Sequence, residues 1–350
     1  MVIPKEEPGT KKYLEEWGKN IKRYHKEANF LQSPLWYYTN QKIGHEVKVF
    51  SINTGTPDDE NYAFYIIKNA KRGRYMEVPG GPLISWDNAE LVKAMFDALK
   101  RQAVAYKCGF IRIRPQLENT PENLKLLKQA GLKPSPMHLH AEHTVIIDLN
   151  QPESALLAAM RRQTRYEVRR AEKLGLKVTS VSADSKSFQP YLDEFYDCQQ
   201  QTAARQHFIA PTKKELTAEC SAFGKNATLY RVETAENQLV AYGLILKWGE
   251  EADYYEAAST DLNRKLPGAY ALLWAAMKDL KKEGYSRFNL WGIAPKGQKN
   301  HRYAGVTTFK TGFGGKIVNF TPAHDLIVSK LRYIPDFFVE TARRHHRHLD

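Results

Sequence analysis

The chain has 350 residues, 42% of them hydrophobic, and a formal charge of +13. That length can bury two ordinary cores. No apolar run approaches the ~20 residues that span a bilayer, and Met1 to Pro8 contain no apolar signal core. Cys108, Cys198 and Cys220 are scattered and odd in number, with no CxxC pair, which argues against a zinc site and for a reducing, cytoplasmic compartment.

In chain order, the segment before Phe30 predicts an amphipathic helix around Leu14, Trp17, Ile21 and Tyr24. His45–Ile52 and Tyr62–Lys68 alternate like a hairpin, with residues 53–61 as its turn. Gly80-Gly81-Pro82 breaks the strand that precedes the next helix. That helix runs from Asp87 to Lys107-Cys108-Gly109, and a short alternating strand from Phe110 follows it. His143–Leu149 predicts a strand leading into a basic helix from Pro152, with a domain boundary near Asn150. Ala227–Val232 with Leu239–Lys247 reads as a second hairpin, followed by a strand over Asp253–Ala258. The helix from Gly268 to Lys282-Glu283-Gly284 then leads into a strand from Phe288 to Trp291. The helix–glycine–strand phrase thus occurs twice, half a chain apart. That spacing is too long for a solenoid and predicts two related domains. Strands and helices mixed in this order predict an α+β fold with a mixed sheet in each half.

The positive charge predicts a polyanionic partner, namely nucleic acid, a nucleotide diphosphate or anionic lipid, with solubility as the bland alternative. Between Trp291 and Lys316 the cations Lys296, Lys299, Arg302, Lys310 and Lys316 occur without a single acid, interleaved with glycines and aromatics. On the basic helix Arg161, Arg165 and Arg169 repeat every four residues. Like charges at that spacing repel, so the face is either solvated or meets an anion. The tail from Arg343 to His348 is basic enough to touch RNA or anionic lipid, although terminal charge runs are commonly solvated. His138, His140 and His143 alternate without nearby cysteines or clustered acids, so no metal is expected.

Five stretches, in order, resemble the FemABX family of aminoacyl-tRNA-dependent peptidyltransferases, in its compact FemX-like form. They are Phe30-Leu31-Gln32-Ser33-Pro34-Leu35-Trp36, Gly80-Gly81-Pro82-Leu83, Met160-Arg161-Arg162-Gln163-Thr164-Arg165, Gly268-Ala269-Tyr270-Ala271 and Gly305-Val306-Thr307-Thr308-Phe309-Lys310. The resemblance implies two tandem GNAT-like domains over 1–150 and 151–325, with 326–350 packing back on the first. It implies an enzyme that moves an amino acid from aminoacyl-tRNA, as co-substrate and without further cofactor, to an amine of a peptidoglycan precursor. That precursor would be a UDP-linked or lipid-linked muramyl peptide. A cytoplasmic monomer, with at most weak peripheral contact with the inner face of the membrane, is the implied form.

The family's Phe-Lys pair matches Phe309-Lys310, which implies Lys310 as the group that stabilises the oxyanion and Phe309 as a substrate contact. Glu256 is a candidate base for the acceptor amine, with Tyr254 beside it as a substrate contact; an ion pair between Glu256 and a lysine is the alternative. Arg161, Arg165, Arg169, Lys299 and Arg302 are the expected tRNA contacts. The acceptor site departs from the family pattern. Asn40, with Lys42 nearby, stands where compact members carry a phosphate-binding lysine. Ala210, with Arg205 nearby, replaces an arginine, and Arg114 replaces an acid.

Two other functions fit parts of the same sequence. An acetyl-CoA acetyltransferase would hold pyrophosphate with a glycine-rich loop at a helix start, where this chain offers Lys265-Leu266-Pro267-Gly268-Ala269-Tyr270, with one glycine and a bulky ring. An RNA-binding module would use the basic helix and the aromatics without Lys310.

Overall fold

The computed structural model describes residues 3–5, 10–53, 60–298 and 301–346. The chain forms two compact units, one of residues 1–142 and 319–350 and the other of residues 143–318.

In the first unit, β1 (Ile3–Lys5) pairs with β2 (Glu46–Asn53) after the helices α1 (Lys11–Tyr24) and α2 (Pro34–Ile43). Thr10 caps α1 by accepting from the Tyr13 N–H, and Leu14, Trp17 and Ile21 form its buried stripe. Ser33 caps α2, whose Pro34 needs no donor at that position, and Gly44 ends it at φ 106°. β2, β3 (Glu60–Ala70) and β4 (Gly73–Gly80) form a meander with Val49 opposite Phe64. The helix α3 (Ala89–Ala105) then crosses over to β5 (Cys108–Pro115), which lies parallel to β4. α4 (Pro121–Gln129) and β6 (Lys133–Pro134) follow.

The second unit opens with β7 (His143–Asp148), α5 (Glu153–Ala159) and α6 (Arg162–Lys173). It continues through β8 (Lys177–Ser182), α7 (Phe188–Gln206) and α8 (Lys213–Phe223). β9 (Ala227–Glu233), β10 (Leu239–Trp248) and β11 (Glu251–Ser259) form its meander. The crossover helix α9 (Gly268–Lys282) leads to β12 (Arg287–Asn289), parallel to β11. α10 (Ala304–Thr311) and β13 (Lys316–Asn319) close the unit. The chain then returns to the first unit with β14 (His324–Ile327) and α11 (Lys330–His346).

The repeated phrase is therefore a repeated crossover, β4–α3–β5 in one sheet and β11–α9–β12 in the other. The sheet orders, β1-β2-β3-β4-β5-β14-β6 and β8-β9-β10-β11-β12-β7-β13, correspond place by place. In each sheet the strand next to the crossover pair comes from beyond the unit's own meander. β7 pairs with β12 in the second sheet, and β14 pairs with β5 in the first. The boundary expected at Asn150 accordingly falls between Glu142 and His143, and the one expected at 325 falls between Val318 and Asn319. β14 also explains a charge inside β5. Arg112 is 4% exposed and makes a two-pronged pair with Asp325, at 2.8 and 2.9 Å.

The single basic helix predicted from Pro152 is two helices. Met160 and Arg161 are extended, at ψ 145° and 147°. The Met160 side chain enters the core, and the Arg161 N–H donates to the Gly312 carbonyl at 2.8 Å instead of continuing a helix.

Candidate active site

The second unit's crossover pair opens like a fork. β11 and β12 pair only over Glu251–Asp253 and Arg287–Asn289. Beyond that point β11 stays with β10 as far as Ser259. The chain after Asn289 instead follows β7, with Leu290 N–H donating to Val145 O and Ile293 N–H to His143 O. A gap thus opens at the carboxyl ends of two parallel strands, with Tyr254, Tyr255 and Glu256 on one prong and Trp291 and Gly292 on the other. A β-bulge sharpens it. Ile245 pairs with Tyr254 and Leu244 with Glu256, so the register steps over Tyr255. Strict alternation would put Tyr254 and Glu256 on one face. The bulge sends Tyr254 into the core with Ile245 and turns Glu256 to the other face, where Gln199 of α7 donates to its Oε2 at 2.7 Å.

Lys310 reaches this fork from the last turn of α10 and is 8% exposed. α10 is held by an aromatic group. Phe309 meets Tyr270 at 4.9 Å and Phe313 at 5.4 Å between ring centres. The Thr307 hydroxyl accepts from the Ala294 N–H, tying α10 to the chain that leaves the fork. Lys310 Nζ donates to the Gly292 carbonyl at 2.9 Å and lies 5.7 Å from the Tyr254 ring centre. Burial pulls the Lys310 ammonium down to about 7, against the opposing pull of the Glu256 charge. Burial likewise pushes the Glu256 carboxyl up to about 7, against the hydrogen bond from Gln199 and the charge of Lys310. The two groups feel each other's charge without touching.

More buried acids surround them. Glu219 of α8 is 5% exposed, and its carboxyl is pushed well above the usual range by burial, then by the charges of Glu256 and Glu215. Beneath the fork, burial and then the charge of the neighbouring Glu251 push the Asp253 carboxyl well above the usual range, while Glu251 accepts from Arg287 and Asn289. Gln199 and Glu219 escaped the reading of the sequence. Their signal was polarity in an apolar stripe, Gln199 among Phe195, Cys198 and Thr202 and Glu219 among Leu216, Cys220 and Phe223.

The fork thus brings together Lys310, Phe309, Tyr254 and Glu256 of the residues singled out from sequence. Phe309 and Tyr254 serve first as packing. Arg205 joins the end of α7 to the end of β11 by donating to the Ser259 carbonyl at 2.5 Å. Asn40 and Lys42 belong to the first unit. Asn40 is buried and donates to Trp36 O inside its own helix, whereas Lys42 is exposed on the last turn of α2.

The arginines expected every four residues along one face have three different environments. Arg161, at the cap of α6, donates to Thr308 O at 2.8 Å, which joins that cap to α10. Gly312 makes this approach feasible, since a Cβ there would lie 2.3 Å from Thr164 Oγ1. Arg165 turns inward and donates to Ala158 O at 2.9 Å and to Met160 O, satisfying the carbonyl end of α5. Arg169 is exposed, as is Arg302, whose guanidinium lies over the Tyr303 ring. Lys299 lies outside the described residues. Arg165→Ala is therefore expected to cost about 1–2 kcal/mol of stability, as loss of a helix cap does, whereas Arg169→Ala should be neutral within about 0.5 kcal/mol. Urea midpoints of the two variants check this.

Pro267-Gly268 begins α9, where a Cβ on Gly268 would come within 2.4 Å of Val240 Cγ1. Packing accounts for that glycine without a phosphate. Tyr270 two residues later belongs to the aromatic group under α10.

The profile of the FemAB family matches residues 14–232 and 210–339. The chain belongs to the FemAB family. Among FemAB relatives it is 20% identical to the aminoacyltransferase FemA of Staphylococcus aureus (strain MRSA252), over 71% of this chain and 78% of that one. FemA of Staphylococcus epidermidis (strain ATCC 12228 / FDA PCI 1200) matches to the same extent. The fold is that of the crystal structure of FemX, with a TM-score of 0.81 at 17% identity, over 94% of this chain and 99% of that one. L-PGS from Bacillus licheniformis is a more distant likeness, with a TM-score of 0.59 at 15% identity over 97% of both chains. As a FemAB protein the chain is α+β, with a mixed sheet in each unit flanked by helices.

Proposed function

We propose that this FemAB-family enzyme transfers an aminoacyl group from aminoacyl-tRNA to an amine of a peptidoglycan-precursor stem peptide, in cell-wall cross-bridge synthesis, with the chemistry at the fork of the second unit. The observation that carries the reading is Lys310, a buried cation at the open end of the splayed pair, facing a carboxyl that titrates in the same range. The donor ester is already activated, so the enzyme must position two substrates and stabilise a tetrahedral oxyanion. The acceptor amine attacks the ester carbonyl, and the C–O bond to the tRNA ribose breaks as the amide forms. The protonated acceptor loses two protons overall. One goes to the leaving ribose oxygen and the other, through Glu256, to solvent. Lys310, oriented by Gly292 O, donates to the oxyanion.

Arg161, joined to α10 through Thr308 O, and the exposed Arg169 and Arg302 supply cations for the tRNA backbone. A UDP-linked and a lipid-linked muramyl peptide present the same acceptor amine.

The test is incubation with a mixture of radiolabelled aminoacyl-tRNAs and UDP-linked muramyl pentapeptide, followed by mass measurement of the acceptor. A gain of one aminoacyl residue is expected. Transfer only to the lipid-linked acceptor would keep the chemistry and change the precursor. Inertness toward both, with acetyl transfer from acetyl-CoA, would sink the reading.

A further inference from the structure

The outer face of α11 carries a pattern that the transfer reaction does not use. Leu331, Ile334 and Phe338 are 88%, 49% and 67% exposed, which is unusual for side chains of this size on one helix. At about 100° per residue they fall on a single stripe, to which the exposed Pro335 and Ala342 also belong. Exposed cations border the stripe on both sides, Arg332 and Arg343 on one and Lys330 on the other.

Both acids of α11 lie on the inward face. Asp336 is 7% exposed and pairs with Arg72 at 2.5 Å, and Glu340 pairs with Arg112 at 2.7 Å. The helix therefore presents to solvent an apolar strip edged by positive charge and free of negative charge.

We propose that this face of α11 docks on an anionic lipid surface, with the helix lying in the plane of the headgroups. The apolar strip enters the boundary of the acyl chains and the bordering cations meet the headgroup phosphates. An RNA backbone would leave the apolar strip unused. A second copy, placed by two-fold symmetry, would set the bordering cations against their own counterparts. Among the described residues no helix is long and apolar enough to cross a membrane.

The test is co-sedimentation of the full chain with vesicles of phosphatidylcholine alone or mixed with phosphatidylglycerol. Binding is expected only to the anionic vesicles and should fall by about tenfold or more in Phe338→Glu and in Leu331→Glu. Lys330→Glu combined with Arg343→Glu should weaken binding at low salt and change it little at high salt. All of these positions are exposed, so thermal melting should be unchanged. Absence of binding to either vesicle, or equal binding by Phe338→Glu, would overturn the proposal. A concentration-dependent dimer abolished by Phe338→Glu would overturn it too, assigning the face to a second copy. None of these readouts depends on catalysis, so a failure here leaves the transfer reaction standing.

Discussion

Lys310→Met is expected to lower kcat for aminoacyl transfer by about 10²–10³, the usual loss when one oxyanion donor is removed. Methionine keeps most of the side-chain volume and removes only the charge and its N–H donors, so packing around Tyr254 and Phe309 survives. Affinity for charged tRNA should stay within about twofold, because the backbone contacts that dominate it lie elsewhere. Stability should move the opposite way. In the unfolded chain Lys310 titrates near the ordinary lysine value of about 10.4, and in the fold it titrates at about 7. Below the folded value both states hold the proton, and the fold bears the whole penalty of the buried ammonium. The penalty fades as pH rises from the folded value toward the unfolded one. Lys310→Met should therefore stabilise the protein, and by more at pH 6 than at pH 10. Loss of activity with gain of stability is the mark of a group kept for function. A variant that stays active, or one that loses activity by melting, would remove Lys310 from the mechanism. Urea midpoints at the two pH values, beside single-turnover rates, separate these cases.

Much of this architecture is legible in local chemistry. Gly109 and Gly284 follow two helices of similar pattern, and alternation marks β2, β3, β9 and β10, because meanders and crossovers are written in nearest-neighbour preferences. The domain boundary was not legible. β7 is a good strand by composition, but its sheet is set by pairing with β12, a choice made between segments distant in sequence. The break at Met160–Arg161 was hidden for a similar reason. Its backbone is held by Gly312 O and its carbonyls by the Arg165 guanidinium, neither of which leaves a helix-stop residue in the sequence. The site divides along the same line. Lys310 and Glu256 could be named, one through a family motif and the other as an acid beside two tyrosines. The bulge at Tyr255, which turns Glu256 toward Gln199, is a register shift that alternation alone does not encode. Gln199 and Glu219 were masked by helices whose other inward positions are apolar or small.

The rate should depend on pH as a bell with its top near neutrality, and the two limbs should belong to Glu256 and Lys310. Glu256 must be a carboxylate to accept a proton. Its folded value is raised to about 7, so the rate falls as pH drops through that value. Lys310 must be an ammonium to hold the oxyanion. Its folded value is lowered to about 7, so the rate also falls as pH rises through that value. Each charge supports the other, so the apparent constants belong to the pair and not to either group alone. The acceptor amine, with a reference value near 10.4 for a lysine-type amine, adds a separate rise to kcat/KM, so kcat at saturating acceptor is the quantity to follow. Two substitutions assign the limbs. Lys310→Arg keeps a charge that no accessible pH removes, so the alkaline limb should vanish while the acid limb stays. Glu256→Gln should lower kcat by about 10²–10⁴, the usual contribution of a general base, and erase the acid limb. It should also move the alkaline limb to lower pH, because the carboxylate that helps Lys310 keep its proton is gone. A profile in Glu256→Gln that retains the acid limb would place the base elsewhere in the fork and leave Glu256 as the electrostatic support of Lys310.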